Sequence, residues 1–300
     1  MSQLLPNFNS PLDDLEKFSN IKILITDLDG TFIKQNGDVL GQLKGIQPQF
    51  SCHAITITIA TGRTYAGVKE IASQMKIKKG TPLALYNGAV VLAYHTQSIL
   101  FHKSIPFSVL RELCTFIDWR HQNILAYYLM NDQYNIVETV HGFGFPAFKK
   151  DINGMDILWH TKDDFIDGIS SCSFSPYDYN PCSILIDWKQ LGTHAEKISQ
   201  YLKKCPFVSY THSGNVFWEI RANGVSKEII FDYFDHNEKC IAIGDNDNDI
   251  ELLQRADIGV AVANGSLAAK AVAQYHCCEE GALGVLELVR IIKEANRYFG

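Results

Sequence analysis

The chain has 300 residues, 46% of them hydrophobic and 20% charged. That length exceeds the usual reach of one hydrophobic core, so two domains of an ordinary globular protein are expected. The formal charge is −6, and the basic doublets Lys78-Lys79, Lys149-Lys150 and Lys203-Lys204 are scattered, a pattern that argues against a nucleic-acid partner.

Met1 to Phe18 lacks the basic and apolar regions of a secretion signal, and no run approaches the ~20 apolar residues of a membrane span. Eight cysteines without a CxxC pair suit free thiols in a reducing cytoplasm. Ser10-Pro11-Leu12-Asp13 resembles a helix start. Strand-like Ile21–Thr26 follows, then Ile55–Ala60, and then a helix over Thr64–Lys76 with Val68, Ile71, Ala72 and Met75 at helical spacing. Pro82–Tyr86 is a further short strand, closed by Asn87-Gly88.

From Ala89 the grammar changes. A hairpin (Val90–Tyr94, Ile99–Lys103), a helix over Pro106–Arg120 and a strand at Ile124–Leu129 are expected. Ser183–Trp188, a helix over Thr193–Lys204 and a pair at Phe207–Tyr210 and Val216–Ile220 follow. All four tryptophans lie here, and with Tyr127, Tyr128, Tyr177 and Tyr179 they suit a core. Gly142-Phe143-Gly144-Phe145-Pro146-Ala147 mimics a dinucleotide fingerprint but lacks the helix it needs, so a loop is expected. Strand and helix then alternate again: helix Ser226–Phe234, strand Cys240–Ile243, helix Ile250–Arg255, strand Ile258–Val262 and helix Leu283–Tyr298. Alternation implies a parallel α/β sheet, with an α+β domain inserted at about 89–221 between core segments 1–88 and 222–300.

Three apolar strands end in polar residues: Asp27-Leu28-Asp29-Gly30-Thr31, Thr61-Gly62-Arg63 and Gly244-Asp245-Asn246-Asp247-Asn248-Asp249. Parallel neighbours would bring these tips to one crevice. Asp27 can attack phosphorus, and Asp29 can move the proton of the leaving oxygen and then of water. The backbone N–H of Leu28, with Thr61 and Lys227, can hold phosphate oxygens. Asp27 and Asp245 form part of an oxygen-only set suited to Mg²⁺. The acidic run is not an EF-hand, because Ile250 and Ala256 occupy the places of its glycine and glutamate. The ten histidines show no metal-ligand spacing.

Together these residues resemble the haloacid dehalogenase (HAD) superfamily of phosphatases, and within it the Cof-type branch (subfamily IIB) with a C2-type cap. Asp27–Thr31, Thr61, the lysine of Gly224-Val225-Ser226-Lys227, and Gly244-Asp245 with Asn248-Asp249 correspond to the four family motifs. Asn87-Gly88 and Phe217-Trp218-Glu219-Ile220 are also similar to this branch. The resemblance implies a Rossmann-like core with an inserted α+β cap that sets specificity. It implies Asp27 as nucleophile and metal ligand, Asp29 as acid/base with its carbonyl on the metal, and Asp245 as a further ligand supported by Asp249. It also implies that Leu28, Thr61, Gly62, Lys227 and Asn248 hold phosphate. Glu228 departs from the family, which has glycine after the lysine. The expected activity is Mg²⁺-dependent hydrolysis of small phosphorylated metabolites, sugar phosphates first, by a cytoplasmic enzyme with no membrane or nucleic-acid partner. The alternatives are a phosphomutase, a phosphatase of a planar cofactor such as pyridoxal phosphate, or a non-catalytic phospholigand-binding module.

Overall fold

The computed structural model describes residues 2–6, 11–33, 55–131, 136–151, 153–163, 165, 180–213 and 216–300. Ser10, Tyr177 and Tyr179 lie outside them. The chain divides into two compact units. One comprises Met1–Gly62, Val68–Leu100 and Ser226–Gly300, and the other comprises Arg63–Gly67 and Phe101–Val225. The hairpin at 90–102 therefore falls largely in the first unit.

The chain begins with β1 (Gln3–Leu4), α1 (Leu12–Glu16), β2 (Ile23–Thr26), β3 (Thr56–Ile59) and α2 (Tyr65–Gln74), followed by β4 (Pro82–Leu85), β5 (Val90–Ala93) and β6 (Ile99–His102). The chain passes through α3 (Phe107–Phe116), β7 (Asn123–Asn131), β8 (Ile136–Gly144), β9 (Ile157–His160), β10 (Ser183–Asp187), α4 (His194–Lys204), β11 (Val208–Ser213) and β12 (Phe217–Ala222). It returns through β13 (Cys240–Gly244), α5 (Ile250–Arg255), β14 (Ile258–Ala261), α6 (Leu267–Val272), β15 (Tyr275–His276) and α7 (Gly281–Phe299).

Six parallel strands in the order β1-β15-β14-β13-β2-β3 form the main sheet of the first unit. Every residue of β2, β13 and β14 is buried, as expected of parallel strands covered on both faces. Helix α7 buries Val285, Leu288, Val289 and Ile292 on one stripe. Leu288 is fully buried, so Leu288→Ala should lower unfolding free energy by about 2–5 kcal/mol in urea denaturation.

β4 departs from the expected parallel sheet. It pairs antiparallel with β5 in a separate three-stranded sheet, and one bridge, Ala60 with Ala84, joins it to the end of β3. The connection from β4 to β5 is too short for a crossover, which a parallel pair requires. The segment after Ser226 also differs from an α-helix: Lys227–Tyr233 is a 3₁₀ helix, a tighter winding rarely so long.

The second unit has a sheet ordered β11-β12-β10-β7-β8-β9, antiparallel except for β8 with β9. Gly142-Phe143-Gly144, expected in a loop, lies in β8. Gly142 faces Trp159 across the ladder, and a Cβ there would run into the indole ring. The glycine that suggested a loop therefore makes room for an aromatic neighbour. Trp218 is buried, while Trp159 is only partly so. Within this unit the Glu138 carboxylate accepts the Tyr65 and Ala66 N–H groups, each at 2.7 Å.

Candidate active site

The strand tips expected to carry chemistry lie side by side. Thr26 pairs with Ile243 on one side and Ile59 on the other, so Asp27, Gly244 and Ala60 follow at one level. The chain runs from β2 to β3 in one direction across the sheet and from β13 to β15 in the other. Asp27 and Asp245 therefore flank the switch point, where open α/β sheets bind ligands.

Backbone bonds shape the turn after β2. The Leu28 carbonyl accepts from the Phe32 and Ile33 N–H groups at 2.8 and 2.7 Å, and Asn264 Nδ2 donates to the Gly30 carbonyl at 2.8 Å. Gly30 has φ +93°, and a side chain there would strike the Asp245 carboxylate. Both backbone and space thus require glycine. Leu28 is buried and Asp29 is exposed.

The buried part of the site is a charge cluster. Lys227 is 1% exposed, and its ammonium donates to Asp27 Oδ1 and Asp249 Oδ1, each at 2.7 Å. Asp249 Oδ2 accepts the N–H groups of Asp245 and Asn246 at 3.0 and 3.1 Å. Gly244 makes that possible, since a Cβ there would stand 2.6 Å from Asp249. Asp245 Oδ1 accepts from the Thr31 hydroxyl at 2.8 Å. Asp27, Asp245 and Asp249 each present an oxygen within 4.8 Å of the others.

Three buried carboxylates against one ammonium leave an excess of negative charge. Burial raises the Asp27 carboxyl well above the ordinary range, with Lys227 opposing that rise. Burial, and then Asp249, push Asp245 up to about 6. Burial disfavours the Lys227 charge, but Asp249 and Asp27 outweigh it and raise its pKa. An all-oxygen, under-neutralised donor set fits a hard divalent cation.

Thr61, Asn87 and Asn248 form the neighbouring group. The Thr61 N–H donates to the Ala84 carbonyl, and the Thr61 carbonyl accepts from the Asn87 N–H, both at 2.9 Å. Asn248 Nδ2 donates to Asn87 Oδ1 at 3.1 Å. Gly62 follows Thr61 and is half-buried. Of the expected residues, Asp27, Asp245, Asp249 and Lys227 share one cluster, and Thr61 and Asn248 are joined through Asn87. Glu228 takes no part in the Lys227 bonds; its carbonyl accepts from Arg255 at 3.1 Å. Sequence reasoning passed over Thr31, Asn87 and Asn264 as site residues. The only signals for them were a hydroxyl after Asp-Gly and two Asn-Gly pairs.

A family model for haloacid dehalogenase-like hydrolases matches residues 24–288. The chain belongs to that family. The hydrolase is 27% identical over 294 residues to the 5-amino-6-(5-phospho-D-ribitylamino)uracil phosphatase YitU of Bacillus subtilis, with 91% of this chain and 96% of the relative covered. Its fold is similar to a haloacid dehalogenase-like hydrolase from Bacteroides thetaiotaomicron at 20% identity and TM-score 0.65, covering 91% of this chain and 99% of that one. It is also similar to the HAD subclass IIB sugar phosphatase BT4131, at 17% identity and TM-score 0.63 with 92% and 98% covered. The hydrolase is a HAD-type phosphatase. Among its described residues, no helix is long and apolar enough to cross a membrane.

Proposed function

We propose that the hydrolase is a Mg²⁺-dependent phosphatase of small phosphorylated metabolites, with phosphorylated sugars and sugar-like polyols first among them. The observation that carries this reading is the buried cluster in which Lys227 bridges Asp27 and Asp249 beside Asp245. Asp27 Oδ attacks phosphorus, and an aspartyl phosphate forms as the bond to the leaving oxygen breaks. Asp29 gives that oxygen a proton, then removes one from the water that cleaves the acyl phosphate. Lys227 neutralises the phosphoryl oxygens, and Leu28, Thr61, Gly62 and Asn248 orient them. Asp27, Asp245 and the Asp29 carbonyl would hold Mg²⁺, which when bound supplies charge neutralisation between the carboxylates and the phosphate. Asp249 supports the site rather than binding the ion, because both its oxygens are already engaged.

The substrate class is supported by the relative named for a phosphorylated ribitylamino compound and by the neighbouring sugar phosphatase fold. Residues 89–221 are assigned as the specificity-setting cap. Six free cysteines among the described residues support a reducing, cytoplasmic setting. EDTA should stop release of inorganic phosphate from an aryl phosphate, and Mg²⁺ should restore it. Turnover that persists in EDTA would refute the metal scheme. A screen of phosphosugars, nucleotides and pyridoxal phosphate for phosphate release tests the substrate class.

A further inference from the structure

Tyr86, Asn87 and Gly88 take positive φ in succession, 50°, 52° and 89°. Non-glycine residues enter this region singly as a rule, and such backbone persists only where its surroundings hold it. Three contacts do so here. The Asn87 N–H donates to the Thr61 carbonyl at 2.9 Å. Gly88 lies so close to the Ser226 carbonyl that a side chain would overlap it. Asn87 Oδ1 accepts from Asn248 Nδ2 at 3.1 Å. The turn thus touches Thr61, Asn248 and the residue before Lys227. Asn87 is 1% exposed, and among the described residues its Nδ2 and the Asn248 Oδ1 have no hydrogen-bond partner. Buried amides rarely leave such atoms unsatisfied. An unpaired donor and acceptor side by side, next to Thr61 and Lys227, point to polar atoms meant for a ligand.

We propose that Asn87 is a positioning residue of the phosphate site. Its side chain orients the Asn248 amide toward a phosphoryl oxygen, and its backbone fixes Thr61. This rests on the phosphatase reading above. The ligand class is the phosphoryl group of a monoester, for which inorganic phosphate is the probe.

Asn87→Gly removes the amide while tolerating the left-handed backbone. It should leave the thermal melt near that of the unaltered protein. The KM for p-nitrophenyl phosphate and the inhibition constant of inorganic phosphate should each rise roughly 3- to 10-fold, with kcat changing less. In an Asn248→Ala background, Asn87→Gly should add almost nothing, because the two residues act as one unit. Asn87→Asp also accepts this backbone and keeps the acceptor, but sets a like charge at the site. It should weaken phosphate more than Asn87→Gly, and it carries the comparison if the glycine variant does not fold. Unchanged constants, losses that simply add to those of Asn248→Ala, or tighter phosphate binding in Asn87→Asp would overturn the assignment. An unaltered protein that neither hydrolyses p-nitrophenyl phosphate nor binds phosphate would instead overturn the phosphatase reading itself.

Discussion

Asp27→Asn should lower aryl phosphate hydrolysis by roughly 10³-fold or more, while the metal-free fold becomes no less stable. The amide keeps the size of the side chain and an oxygen to accept from Lys227, but it cannot form an acyl phosphate. The stability half follows from linkage. Burial raises the Asp27 carboxyl above its ordinary range, so the ionised form is less favoured in the fold than in the unfolded chain. A group raised in this way supports the fold at low pH, and that support is lost as pH rises through its folded value. Asn removes that penalty and one of the three crowded carboxyl groups. Thermal melts in EDTA at pH 7 beside initial rates check both halves. Turnover near that of the unaltered protein would sink the nucleophile assignment, and a large fall in melting temperature would sink the electrostatic account.

That combination of lost function and retained fold reflects what was legible in the sequence. Strands β2 and β13 were readable because burial on both faces leaves an uninterrupted apolar run, which makes the acids at their ends conspicuous. Asp27, Asp245 and Lys227 followed from the chemistry that phosphoryl transfer needs, whereas Gly62, Asn248 and Asp249 came only from family resemblance. Asp249 shows why. Its role depends on two backbone N–H groups and an ammonium 22 residues distant in sequence, and no local pattern encodes that convergence. Thr31 was hidden in the same way, since its partner Asp245 lies 214 residues away. Strand β8 was missed for a different reason. Gly142 and Gly144 look like punctuation until Trp159 is placed over Gly142. The antiparallel pairing of β4 was readable from the short link to β5, but strand–helix alternation on either side pointed to a parallel partner.

Lys227→Met should destabilise the metal-free protein by about 3–5 kcal/mol, the usual consequence of removing one partner from a buried ion pair. Methionine fills much of the same volume, so the loss is chiefly electrostatic. Asp27, Asp245 and Asp249 would then face one another with no buried cation among them. The pH dependence separates this account from a packing defect. Asp245 already titrates up at about 6, and removing the ammonium raises it further. The variant's deficit should therefore be smallest where these acids are protonated, near pH 5, and should grow toward pH 8. Mg²⁺ should recover part of the loss, because an ion bound only by the folded state stabilises it by mass action. Asp249→Asn in the same chain should recover another part by deleting one of the stranded charges. Urea unfolding at both pH values, with EDTA and with Mg²⁺, measures all three effects. A deficit below about 1 kcal/mol, or one that is flat with pH, would mean that Lys227 does not hold the carboxylates together. The cluster would then have to be stable on its own, and the argument for a divalent cation at this site would lose its electrostatic basis.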